Sequence, residues 1–113
     1  MKLFILFIQL MACICINGQV KSQVTNTEKI VGTWVSTRDK NSLTVFTKTE
    51  ELDYYDKHLM SRFTYEVKRD TLIAVDQKNG EIYRYLIISL TQDALIMKFI
   101  RTGTVIEYRR KRN

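Results

Sequence analysis

With 113 residues and a net charge of +6, the chain has room for one domain with a basic surface. Its two cysteines, Cys13 and Cys15, both fall in an apolar N-terminal stretch, which excludes a disulfide scaffold or a thiolate metal site from the remainder. Proline is absent, and no shift in composition marks a second domain.

The first residues read as an export leader. Met1-Lys2 supplies a positive start, and the apolar run from Leu3 to about Ile16 is too short for a permanent membrane span. The small Gly18 places the expected cut before Gln19, so that 1–18 is a signal peptide, 19–28 a short linker and 29–113 the folded domain. A second reading competes: Leu10-Met11-Ala12-Cys13 resembles a lipobox, in which a lipid on Cys13 would tie the protein to the outer membrane. Under either reading the expected address is periplasmic or extracellular. Export argues against nucleic acid as the partner of the basic surface; anionic headgroups or acidic glycans fit it better.

Beyond the leader the pattern is strand after strand. The first is expected over 32–37, ending at Asp39-Lys40-Asn41. The second, 42–48, alternates, with Leu43, Val45 and Thr47 on one face and Thr44, Phe46 and Lys48 on the other. A third is expected at 52–56. Leu52, Tyr55 and Leu59 also fit one helical face that Thr49 would cap, making a short helical lid over 49–60 the alternative. A fourth strand runs from Arg62 to Val67, and Lys68-Arg69-Asp70 turns into a fifth at 71–75. Asn79-Gly80 is expected as a tight two-residue hairpin turn, since both positions accept positive φ; it leads into a long sixth strand, 81–90. Thr91-Gln92-Asp93 and Thr102-Gly103 then turn into strands at 94–100 and 104–110. Short turns between all of these imply an all-β, antiparallel up-and-down meander. Closing it into a small barrel of about eight strands removes its exposed edges and leaves an interior just wide enough for side chains or one small ligand.

The Gly-x-Trp at the first strand, Gly32-Thr33-Trp34 within Ile30-Val31-Gly32-Thr33-Trp34-Val35-Ser36, followed by nothing but hairpins, resembles the opening of small secreted bacterial lipocalin-like proteins. The resemblance covers residues 29–110. Glycine lets the chain enter the barrel floor without a Cβ clash, and the tryptophan points inward to plug that floor. The resemblance implies that this tryptophan packs under an arginine of the last strand, where Arg109 and Arg110 are the candidates. Strand neighbours face opposite sides, so one packs while the other stays in water. It further implies binding of a small hydrophobic or amphipathic ligand without chemical turnover.

Candidate ligand-wall residues are Phe46, Phe63, Tyr65, Leu86, Ile88 and Tyr108, since tyrosine joins an apolar body to one polar tip that can orient a guest. On the sixth strand Ile82, Arg84, Leu86, Ile88 and Leu90 form the more apolar face and are read as the core side. Tyr83, Tyr85 and Ile87 are read as the outer side unless a bulge flips the register. The single histidine, His58, has neither a nucleophile in a catalytic context nor the further ligands a zinc site needs. Glu50, Glu51, Asp53 and Asp56 lack calcium-loop spacing and read as a charged edge or loop. Arg101, Arg109, Arg110, Lys111 and Arg112 form a basic end. No catalytic set, metal site or cofactor motif is found, and a monomer is expected. The competing function is an envelope interaction module that binds a protein, glycan or anionic lipid through its outer face and basic end.

Overall fold

Eight antiparallel strands follow one another in space in the same order as in the chain, and the last closes on the first. The structure is a computed structural model and describes residues 26–112; the leader, its cleavage site and Cys13 lie outside the described residues. The strands are β1 (Gly32–Ser36), β2 (Ser42–Phe46), β3 (Glu50–Tyr55), β4 (His58–Lys68), β5 (Thr71–Asp76), β6 (Ile82–Leu90), β7 (Ala94–Phe99) and β8 (Val105–Arg110). Closure is made by β1 and β8, which pair Trp34 with Arg110, Val35 with Arg109 and Ser36 with Tyr108. With every strand flanked on both sides, the sheet has no open edge strand to aggregate through.

Period-two alternation divides each strand between an inner and an outer face. The most deeply buried side chains are Ile30, Trp34, Phe46, Leu72 and Leu95, contributed by the lead-in to β1 and by β1, β2, β5 and β7. The end where the chain enters β1, with the β2–β3, β4–β5 and β6–β7 turns, is the floor. The opposite end, the mouth, is ringed by the β1–β2, β3–β4, β5–β6 and β7–β8 turns.

The structure departs from the sequence expectations at three places. Residues 49–60 form the β3–β4 hairpin and not a helical lid. Its two turn residues, Asp56 and Lys57, take φ of 50° and 70°, the left-handed pair that a tight hairpin needs, and the flanking strands carry the apolar residues that had also fitted a helix. Asn79-Gly80 belongs to a wider turn: Asp76 N–H donates to Glu81 C=O and Gly80 N–H to Asp76 C=O, with Gly80 alone at positive φ.

The third departure is the face of β6. Its register sets Tyr85 beside Leu72 and Tyr83 beside Ala74, both buried, so the tyrosines face inward and the small Ala74 leaves room for the Tyr83 ring. Leu86 and Ile88 are therefore outside, 36% and 52% exposed, and do not form an inner wall. A register shift between Ile87 and Ser89 then returns Leu90 to the interior, where it packs against the core.

Candidate functional site

The floor is built around one side chain. Trp34 is fully buried, and its indole N–H donates to the carbonyl of Ile30 at 2.8 Å. The Arg110 guanidinium sits 4.2 Å from the ring centroid and donates to the carbonyls of Val31 (2.9 Å), Lys29 (2.6 Å) and Gln92 (2.6 Å). It thus binds the segment entering β1 to the β6–β7 turn across the base. Gly32 has φ +143°, and a Cβ there would collide with the nearest guanidinium nitrogen. Arg109, the other candidate, is exposed on the outer face. The floor is a plug, and its residues are committed to one another.

Above the floor the interior is aromatic. Phe46 and Tyr65 meet edge to face at 5.1 Å, and the Tyr65 hydroxyl donates to the Thr47 carbonyl. Phe63 packs edge to face on Tyr83 at 5.7 Å, and Phe99 lies against both Tyr83 (6.0 Å) and Tyr85 (5.3 Å). Tyr108 comes in from β8 and packs against the same core. Of the residues expected to line a ligand, Phe46, Phe63, Tyr65 and Tyr108 face the interior, while Leu86 and Ile88 do not.

Two carboxylates also face inward, contrary to the expectation of a charged edge. Glu51 is only 6% exposed. Its register partners are Phe46 on β2 and Phe63 on β4, so an aromatic ring flanks it on either side. Asp53, two residues on and on the same face, lies between Thr44 and Ser61 and accepts a hydrogen bond from the Thr44 hydroxyl at 3.1 Å. Glu50 shows the other outcome of alternation. It points outward, 3.8 Å from Arg62, and accepts a bond from Gln77 at 2.8 Å.

Oε1 of Glu51 is buried without a hydrogen-bond partner. Among the described residues neither Glu51 nor Asp53 forms an ion pair. Burial raises the pKa of Glu51 well above the ordinary carboxylate range, and the neighbouring Asp53 charge pushes it further. Burial raises Asp53 as well, opposed by hydrogen bonds from Glu51 and Thr44. The phenols respond to the same field. Burial, then the Glu51 charge, raises Tyr65 and, more strongly, Tyr85. Tyr108 is raised mainly by burial, with the nearby Thr44 hydroxyl opposing.

The inner wall therefore sets acidic and tyrosine side chains directly across from buried apolar ones: Glu51 opposite Phe46, Tyr85 opposite Leu72 and Tyr108 opposite Leu95. Beside that wall, where β4 runs past the end of β5, a groove of about 360 Å³ is lined by Leu59, Met60, Ser61, Arg62 and Asp76–Lys78. No group of three or more metal-ligating side chains is found among the described residues. His58 is exposed at the start of β4, away from this constellation.

The acidic pair escaped the sequence reading because that reading starts the third strand at Leu52, which leaves Glu51 outside it, and sets Glu50, Glu51, Asp53 and Asp56 together on a charged edge or loop. The β2–β3 turn decides otherwise. Thr47 N–H donates to Glu50 C=O at 2.8 Å, which forces Glu51 opposite the buried Phe46. Turn length was the only signal that would have found it.

No family model and no curated protein matches the chain. Among solved structures, the crystal structure of a lipocalin-like protein from Bacteroides uniformis matches with a TM-score of 0.62 at 14% identity, covering 74% of this chain and 99% of that one. The fold is lipocalin-like.

Proposed function

We propose that this chain is an exported, non-enzymatic binding protein that holds a small amphipathic ligand in its lipocalin-like barrel. One observation carries the reading: a carboxylate oxygen of Glu51 is buried without a partner among aromatic and aliphatic side chains, with Asp53 and Thr44 on the same inner face. Natural proteins leave few buried polar atoms unsatisfied, and polar groups set among apolar side chains are a mark of ligand sites. Burial of the guest's apolar part against the floor would supply about 25 cal/mol per Å²; the polar wall would orient its head. Export rests on the charged and apolar leader, 1–18, with lipidation at Cys13 as the alternative.

The test is native mass spectrometry of the protein taken from the organism that encodes it. A small-molecule adduct that dissociates on denaturation is expected, and the same spectrum reads the N-terminus and any acyl group on Cys13. A protein that stays free of adduct when offered its host's lipid and metabolite extract overturns the reading.

A second reading draws on the outer face. Ile82, Leu86, Ile88, Ile100 and Val105 are exposed large apolar residues, and Arg84, Lys98 and Arg101 stand among them, with Leu86, Lys98 and Val105 side by side across β6, β7 and β8. Apolar side chains interspersed with cations complement an anionic lipid surface. Co-sedimentation with vesicles containing anionic lipid, lost on Arg84→Glu with Lys98→Glu, would support it; equal binding to neutral vesicles would remove it.

A further inference from the structure

We infer that a cleft at the outer wall, where β6 begins and β7 ends, receives the phosphomonoester head of a membrane lipid between Arg84 and Arg101. This rests on the outer-face reading above and names the headgroup that face takes. The cleft has a volume of about 130 Å³ and is lined by Ile82, Arg84, Phe99, Ile100 and Arg101. Two local contacts hold the arginines there. Ile100 N–H donates to the Arg84 carbonyl at 3.0 Å, which keeps the end of β7 beside the start of β6. The Arg101 guanidinium lies 6.0 Å from the centre of the Phe99 ring, within reach of a cation–π contact.

Charge selects the head. Neither arginine forms an ion pair among the described residues. Glu81, next to Ile82 in the chain, instead accepts from the Tyr83 hydroxyl at 2.7 Å. Two guanidinium forks on one cleft are matched by an acceptor with more than one charge and more than two free oxygens. A phosphomonoester offers three such oxygens and about two negative charges at neutral pH. A phosphodiester or a carboxylate offers two oxygens and a single charge, which one fork satisfies.

Size selects the rest of the ligand. The cleft has the volume of about four waters, enough for a phosphate group and well below the ~300 Å³ of a pocket that encloses a whole small molecule. Everything beyond the head must therefore lie outside it, and the surface outside it is apolar. Ile82 and Ile100 are exposed at the cleft, and Leu86 and Val105 continue the patch on either side of Lys98. A lipid whose chains stay in a bilayer meets both conditions; a soluble phosphate ester meets only the first.

The experiment is co-sedimentation of the intact protein with phosphatidylcholine vesicles containing phosphatidic acid, or phosphatidylglycerol at matched surface potential. Phosphatidic acid is expected to bind at least about tenfold more tightly, the worth of one added charge-assisted pair. Arg84→Gln and Arg101→Gln should each remove that preference and leave weak, equal binding to both vesicles. Arg109→Gln removes the same charge from another exposed site on the outer wall and should keep the preference. Equal binding by the unaltered protein at matched potential overturns the phosphomonoester site and leaves a general anionic-lipid surface. A preference that survives in both cleft variants, or is lost equally in Arg109→Gln, overturns the assignment to these two arginines. Soluble glycerol 3-phosphate binding as tightly as the vesicles overturns the membrane source. Binding to none of the vesicles overturns the site and the outer-face reading together.

Discussion

Arg110 and Trp34 are direct cross-strand partners at the seam where the barrel closes, with the guanidinium 4.2 Å from the indole ring. The same arginine donates to carbonyls before β1 and in the β6–β7 turn, so one side chain joins the seam, the floor and the chain entry. Arg110→Ala is expected to destabilise by about 2–3 kcal/mol, from the lost cation–π contact and charge-assisted bonds. Arg109→Ala, one residue earlier and exposed, should change stability by less than about 0.5 kcal/mol. Urea denaturation of the two variants checks the contrast.

Gly32 is bound to the same device. Its φ of +143° is poorly tolerated by other residues, and a Cβ would displace the Arg110 guanidinium. Gly32→Ala should cost about 1–3 kcal/mol. If the collision with Arg110 is the cause, the penalties of Gly32→Ala and Arg110→Ala will fall short of additive in the double variant.

The acidic pair predicts an unusual pH dependence. The folded pKa of Glu51 lies well above its ordinary value of 4.5, and that of Asp53 is raised in the same sense. Over the interval between the ordinary and the folded values, the folded barrel holds a proton that the unfolded chain has released. Stability of the ligand-free protein therefore falls as pH rises through that interval and levels off above it. Glu51→Gln should flatten this slope and, on the alkaline side, stabilise by about 1 kcal/mol or more, which is about 4–8 °C in Tm for a domain of this size. Thermal melts of both proteins across the pH range provide the check.

The inside and outside of β6 and its neighbour can be separated by truncation. Leu72→Ala on β5, at a fully buried site, should cost about 2–5 kcal/mol. Ile88→Ser, at an exposed site, should stay within about 0.5 kcal/mol. An equal, large loss in both would return Ile88 to the interior.

Much of the architecture was written into local chemistry. Alternation marked eight extended segments, polar turns separated them, and the need to cover sheet edges implied closure. Gly32 and Trp34 located the floor, and the opposite facing of strand neighbours required that Arg109 and Arg110 take different roles. What those local patterns left open was register. A strand shifted by one residue exchanges its faces, and β3 and β6 each carry apolar or aromatic residues on both, so composition alone favoured Leu86 and Ile88 over Tyr83 and Tyr85 and set the acidic residues at an edge. Only tertiary structure decided these faces: the β2–β3 turn set Glu51 against Phe46, and the pairing of β5 with β6 set the tyrosines against Leu72 and Ala74. Those contacts join residues through the closed sheet, and hydrophobic periodicity within one strand contains no information about what stands opposite it.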